Sequence, residues 1–238
     1  MALIRSKDRK VTNAVSPNGK TPTIANTFGL PAGKDYSCPN QTPTCAKVCY
    51  AGKLEKIYKG VRNVLLTNWD QLSNATMDEM IVLLDDMINE FKTDCEKRSA
   101  DKLFRIHWDG DFFSDEYAYA WKVVIENNAD VKFWVYTRVP TAAIILNNIP
   151  NLSLYFSTDN DNKDHAKNMS VLGIKLAYLA DTFSLGKEQL LNLVSKTGVP
   201  CPENSKKIKL IDNNGSACVK CGQCVFNRNN ILFSATKK

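Results

Sequence analysis

The sequence predicts an α/β protein, a partial (β/α) barrel or an open parallel sheet, with a C-terminal Cys-rich metal module. Three observations carry this. Between residues 103 and 195, short runs of β-branched and aromatic residues alternate with helical patterns, as strands joined by crossover helices do. Capping residues stand where those helices would begin. Seven of the eight cysteines gather in two short stretches, one near the front and one in the last forty residues, which marks metal-binding loops rather than scattered core thiols.

Residues 1–35 are rich in Lys, Thr, Pro and Gly and read as an extended arm with short strands; 26–33 is turn material leading to the first cysteine. Residues 46–59 and 61–71 read as helix, with the break at Gly60. Thr76, with Glu79 three residues on, is a capping box. It opens a long amphipathic helix that buries Met80, Ile81, Leu83, Leu84, Met87, Ile88 and Phe91. Residues 103–109 form a strand. Ser114 caps a helix to 126, with Asp115 and Glu116 in the dipole-favoured first turn. Strands follow at 131–137, 152–158 and 174–180, and helices at 141–147, 164–171 and 187–195. Right-handed crossovers make the sheet parallel and put its site at the strands' carboxyl ends. From Gly198 the chain turns loop-rich. It thus divides into an arm (1–35), an α/β domain with an N-terminal Cys loop (36–197) and a Cys-rich cluster-binding module (198–238).

The 238 residues, 44% hydrophobic and 24% charged, supply a sizeable core, so metal need not be the only source of stability. No run of about eighteen apolar residues exists, which excludes a membrane span by a single helix. The start has no apolar signal region, so the reading is cytoplasmic, where clustered cysteines serve as ligands rather than disulfides. The net charge of +6 concentrates at Arg5, Lys7, Arg9 and Lys10 in front and at Lys206, Lys207, Lys209, Lys237 and Lys238 behind. This admits contact with nucleic acid. A mildly basic solvated surface is preferred, because the sequence is read as lacking a basic helix interleaved with aromatics.

Cys218, Cys221 and Cys224 in CxxCxxC spacing, closed by Cys201, form a four-thiolate set that suits a [4Fe-4S] cluster, with zinc as the alternative. Cys38, Cys45 and Cys49 offer three ligands, and three ligands leave a coordination position open. A zinc loop completed by His107, or one centre shared between both sets, are the other readings. Cys95, late in the long helix, is a non-ligand. At the first strand's end, Asp109-Gly110-Asp111 could bind an amino group, hydroxyls or a cation, or be an ordinary Asp/Gly turn. His107 alternates with Arg105 and Asp109 and reads as a core histidine; His165 reads as solvated. Thr137-Arg138 and Ser157-Thr158-Asp159 end the next two strands and complete a polar ring. A metal-assisted nuclease would use Asp109, Asp111 and Asp159. The aromatics of these strands read as packing.

Asn26-Thr-Phe-Gly-Leu-Pro-Ala-Gly33, Ser37-Cys38-Pro39, Cys45-x3-Cys49-Tyr50-Ala51, the His107-x-x-Gly-Asp-Phe-Phe-Ser114 strand end, Phe133-Trp-x-Tyr-Thr-Arg138 and the C-terminal Cys run resemble the phage-associated gene-product-eighty-eight family over roughly 21–226. A more distant likeness is to the radical S-adenosylmethionine enzymes. That resemblance implies that Cys38, Cys45 and Cys49 hold a [4Fe-4S] cluster, whose fourth iron takes the amino and carboxylate groups of S-adenosylmethionine. Asp109, Gly110 and Asp111 would stand for that superfamily's Gly-Gly-Glu turn, with Tyr50, Arg138 and Ser157 also on the cofactor. Cys201, Cys218, Cys221 and Cys224 would bind an auxiliary cluster. The cysteine spacing differs from that superfamily's C-x3-C-x2-C, Val48 stands where an aromatic is usual, and only a weak arm precedes the loop. The expectation is an iron–sulfur redox enzyme acting on an unidentified small-molecule or macromolecular substrate, served by an electron donor, in the host cytoplasm of a phage. The alternative is a non-enzymatic, metal-stabilised nucleic-acid-binding or phage–host interaction protein.

Overall fold

The computed structural model describes residues 2–8, 10–11, 23–212 and 215–236; Arg9, Asn213, Asn214, Lys237 and Lys238 fall outside them. Its strands are β1 (Leu103–Ile106), β2 (Lys132–Thr137), β3 (Leu152–Thr158), β4 (Lys175–Ala180), β5 (Val199–Pro200), β6 (Ile211–Asp212), β7 (Gly215–Ser216) and β8 (Ile231–Ser234). Six of them form one sheet in the order β1-β2-β3-β4-β8-β5, every neighbouring pair parallel. β6 and β7 make a small antiparallel pair. Among the described residues no ladder joins β1 to β5, so the sheet is open. Of the two expected architectures, the open parallel sheet is the one seen.

Strand alternation divides the sheet's side chains into two sets. Phe104, Ile106, Phe133, Val135, Leu154, Phe156, Leu176, Tyr178 and Leu232 face the helices. These are α4 (Met77–Arg98), α5 (Asp115–Asn127), α6 (Pro140–Ile145), α7 (Lys163–Val171) and α8 (Phe183–Val194), which contribute Phe91, Trp121, Ala142, Met169 and Leu190 to the same core. Each fully buried large apolar side chain contributes roughly 1.5–3 kcal/mol, so this layer holds the sheet together without help from a metal. Thr76 caps α4 in the expected capping box with Glu79. Ser114 caps α5 by accepting from the Tyr117 amide at 3.1 Å.

Leu103, Trp134, Tyr136, Tyr155, Ala177, Ile231 and Phe233 point the other way, toward the chain's two ends. The front of the chain supplies three helices, α1 (Pro43–Val48), α2 (Tyr50–Ile57) and α3 (Lys59–Leu72), and the back supplies α9 (Ala217–Cys221). Ser153 Oγ donates to the Val225 carbonyl at 2.7 Å, Tyr155 donates to that of Gln223 at 3.1 Å, and the Cys218 amide donates to the Lys10 carbonyl at 3.0 Å. Both ends are thereby fastened to one face.

Four features depart from the sequence reading. β1 stops at Ile106 rather than 109, because His107 adopts a left-handed backbone (φ 57°). The helix predicted over 46–59 breaks at Cys49 (φ −57°, ψ 109°), and the next break falls at extended Tyr58 (φ −114°, ψ 99°), while Gly60 lies in the first turn of α3. The segment from 198 is not simply appended, since β5 and β8 belong to the sheet. The arm, in turn, lies alongside β1. The Arg105 amide donates to the Asn26 carbonyl at 3.0 Å and the Trp108 amide to that of Phe28 at 2.9 Å. In return the Leu30 amide donates to the Asp109 carbonyl at 3.1 Å. Among the described residues no helix is long and apolar enough to cross a membrane.

Candidate functional site

A cavity of about 1180 Å³ opens over the face that meets the chain's ends, and all seven clustered cysteines line it: Cys38, Cys45, Cys49, Cys201, Cys218, Cys221 and Cys224. All are free, and all are partly exposed. Cys95 is buried elsewhere, its thiol 3.7 Å from the Asp101 carbonyl.

Local hydrogen bonds aim the N-terminal thiols. Thr42 caps α1, accepting from the Cys45 amide at 3.0 Å while its hydroxyl donates to Asp159 Oδ2 at 2.7 Å. The Thr44 amide donates to Asp161 at 3.0 Å. The loop after β3 thus grips the helix that presents Cys45. Cys49 is itself the N-cap of α2, its sulfur accepting from the Gly52 amide at 3.3 Å. Burial, reinforced by Asp111, pushes the Cys38 thiol far up; burial also raises Cys45 and Cys49. Arg138 works against burial at Cys45, and a cationic centre among the three sulfurs would favour their ionised form.

The acidic turn divides by role. Asp111 is fully engaged: Oδ1 accepts from Thr137 at 2.6 Å and from the Phe112 amide at 2.8 Å, and Oδ2 from the Arg138 amide at 2.8 Å. It ties β1 to β2. Asp109 uses Oδ1 on the Gly110 amide at 2.9 Å, but its buried Oδ2 has no hydrogen-bond partner. Burial, then the neighbouring Glu55 carboxyl, pushes Asp109 up to about 8. Gly110 has φ 82°, and a Cβ there would meet Ser37 Oγ and lie 2.8 Å from the Leu30 carbonyl. It admits the Cys loop rather than a ligand. Arg138 Nη1 sits 2.8 Å from Asp159 Oδ2, off the line of a hydrogen bond, so charge holds that pair. Ser157 lines the cavity. The Tyr50 hydroxyl donates to the Trp108 carbonyl at 3.1 Å. With Asp111 and Asp159 occupied by protein donors, Asp109, Asp111 and Asp159 do not form a nuclease-type cluster.

His107 sits among Phe112, Tyr117 and Trp121, its Nε2 2.9 Å from the Tyr117 hydroxyl. Burial, then Arg105, pushes it down to about 3. It is the core histidine expected: its ring packs in the aromatic core, while the residue also borders the cavity and its Nδ1 has no hydrogen-bond partner.

Around the C-terminal set stand two cations. Arg105 pairs with Asp8 and lies over the Tyr136 ring at 5.7 Å. Lys10 pairs with Glu203 at 2.9 Å. Burial alone would lower Lys10, but Tyr50 and Glu203 hold it above its ordinary value. Burial pushes Cys224 up to about 12 and Cys218 higher still, against the pull of Arg105 and Lys10.

Comparison with known proteins gives a family. The gene product 88 family matches residues 1–227. The chain is 53% identical over 241 residues to the gene 88 protein of Mycobacterium phage L5, covering 99% of each chain. It is 51% identical over 243 residues to the gene 88 protein of Mycobacterium phage D29, covering 100% of this chain and 99% of the other. The chain belongs to the gene product 88 family. Its place among phage proteins follows, and no solved structure matches it.

In this gene product 88 chain, no three Cys, His, Asp or Glu side chains among the described residues are arranged to hold a metal ion. A mononuclear zinc site, the alternative reading, needs every donor about 2.0–2.3 Å from one point, and no such ready-made set forms among the described residues. Sequence reasoning missed Glu55, Thr42 and the two cations. Thr42 before Pro43 was a readable N-cap signal; Glu55 and Lys10 carried none, since only the fold brings them to the cavity. It also missed a basic, aromatic-bearing surface over α2 and α3.

Proposed function

We propose that this protein is an iron–sulfur redox enzyme of radical S-adenosylmethionine type. Cys38, Cys45 and Cys49 would hold one [4Fe-4S] cluster with an open iron, and Cys201, Cys218, Cys221 and Cys224 a second. The observation that carries the reading is the meeting of seven thiols from both ends of the chain in one cavity over one face of the sheet, with Asp109 on its wall. The pairing of 26–30 with β1 also supports it, because the Cys loop then follows a strand-like segment. When bound, the first cluster supplies one electron for reductive cleavage of S-adenosylmethionine.

The chain's own residues do the rest. Thr42, Asp159 and Asp161 fix the Cys loop, and Asp111 locks the turn that carries Asp109. Asp109 and the neighbouring Glu55 would together take an ammonium group, whose charge would favour their ionised forms, and Ser157 and Arg138 border the same space. Arg105 and Lys10 balance the negative charge of the four-thiolate set. The host cytoplasm, which keeps thiols reduced and offers an electron donor, suits the proposal.

Anaerobic purification with iron, sulfide and zinc analysis tests it. The expected result is a brown protein with about eight iron and eight sulfide per chain; a colourless protein with stoichiometric zinc overturns it. Given iron, reductant and S-adenosylmethionine should yield 5′-deoxyadenosine, and its absence removes the enzymatic part.

A further inference from the structure

The cavity's two lips are basic, and on one of them the charge is interleaved with exposed rings. From 36 to the end of α3 at Leu72 the chain carries Lys47, Lys53, Lys56, Lys59 and Arg62 against two acids, Glu55 and, at the far end of α3, Asp70. All five cations are exposed, and none makes an ion pair among the described residues. Glu55 is turned inward, accepting from the Ala32 amide at 2.9 Å, so it does not offset them. Between the cations stand Tyr50, Ile57 and Tyr58, exposed by 48%, 67% and 56%. The same helices send Leu54, Val61 and Val64 into the cavity wall. Across the opening, Lys206 lines the cavity, and Lys207 and Lys209 are exposed beside it. By contrast α4, on the far face, carries seven acidic residues. The cavity mouth thus carries an exposed basic, aromatic-bearing patch, and the expectation that no basic helix is interleaved with aromatics is corrected.

From this we infer that the substrate is a single-stranded nucleic acid, laid across the cavity mouth on the α2–α3 corner, with one nucleotide entering the cavity. As a statement about substrate it rests on the reading above. Spaced, unpaired cations suit a phosphate backbone, and exposed tyrosines give unpaired bases a stacking surface. A membrane would need a contiguous apolar face, whereas apart from Ile57 and the tyrosines the apolar residues here turn inward. The cavity is roomy enough for one extruded nucleotide.

The test is fluorescence anisotropy on the full-length, anaerobically purified protein with a labelled single-stranded RNA or DNA oligonucleotide of mixed sequence. With about four phosphate contacts, affinity should fall roughly 50-fold between about 50 and 200 mM salt. Reversing three charges (K53E/K56E/K59E) should lower the salt slope by about 2, and Tyr58→Ala should weaken binding about tenfold. K167E/K187E, on α7 and α8, should bind as wild type. No salt-dependent binding, unchanged binding by the triple variant, equal or tighter binding of duplex, or binding only to phosphatidylserine vesicles would each overturn the inference. Circular dichroism and iron content on the same samples show that the variants are folded and loaded. Binding without iron sinks the cluster reading and spares this one; iron without binding does the reverse.

Discussion

Asp159 is the residue whose loss should most clearly expose how the Cys loop is held. It is fully buried. Its Oδ2 accepts from the Thr42 hydroxyl at 2.7 Å and lies 2.8 Å from Arg138 Nη1; its Oδ1 accepts from the Asp161 amide at 2.9 Å. Asp159→Ala leaves the Arg138 charge buried without its partner, which costs about 3–5 kcal/mol. The Thr42 hydroxyl and the Asp161 amide lose their acceptors as well. Asp159→Asn keeps the shape and one acceptor, so it should lose less, about 1–3 kcal/mol. In urea, at a slope of about 2 kcal/mol per molar, the Ala variant's midpoint should drop by roughly 1.5–2.5 M. Because Thr42 also caps α1, the Ala variant should retain less iron at the N-terminal set even under conditions where it is folded. If Asp159→Ala unfolds within about 0.5 kcal/mol of wild type, the buried pair is not what anchors the loop, and the reasoning fails.

Other outcomes follow from the same geometry. Gly110→Ala should destabilise the protein by about 2–4 kcal/mol, from left-handed strain and collision with the Cys loop, seen as a lower thermal midpoint; an unchanged midpoint refutes the close approach. Asp109 is raised to about 8 in the folded state, so its contribution is favourable below the ordinary carboxylate range and is lost as pH rises through 8. Without added metal, wild type should therefore lose stability against Asp109→Asn between about pH 4 and 8, and parallel pH profiles would contradict this. Removing Cys38, Cys45 and Cys49 together should leave about half the iron, bound by the C-terminal set; complete loss would mean a single shared centre. Ser153→Ala should cost about 1 kcal/mol and speed proteolysis after α9, since it frees the Val225 carbonyl from β3.

Much of the architecture was legible because its cause is local. The capping box at Thr76, the Ser114 cap and the alternating apolar runs of β2, β3 and β4 are written in neighbouring residues. What escaped depends on distant partners. Val199–Pro200 is too short to announce a strand, and it becomes one only against β8. The 26–30 segment looks like turn material until β1 supplies its partners. His107 carries no mark of the left-handed turn that shortens β1. At the site, the cysteines and the acidic turn were readable as chemistry. Which carboxylate was already occupied was not, since Thr137 and Arg138 reach Asp111 across a strand gap. The basic corner over α2–α3 was overlooked because its lysines lie around a cysteine motif that drew the reading toward metal.

The position of β8 bears on how the sheet is completed. β8 follows both β4 and β5 in the chain yet is slotted between them rather than added at a border. β5 therefore joins the sheet only through β8, and the cavity that Ile231 and Phe233 help to line closes only once residues 231–234 have threaded into that gap.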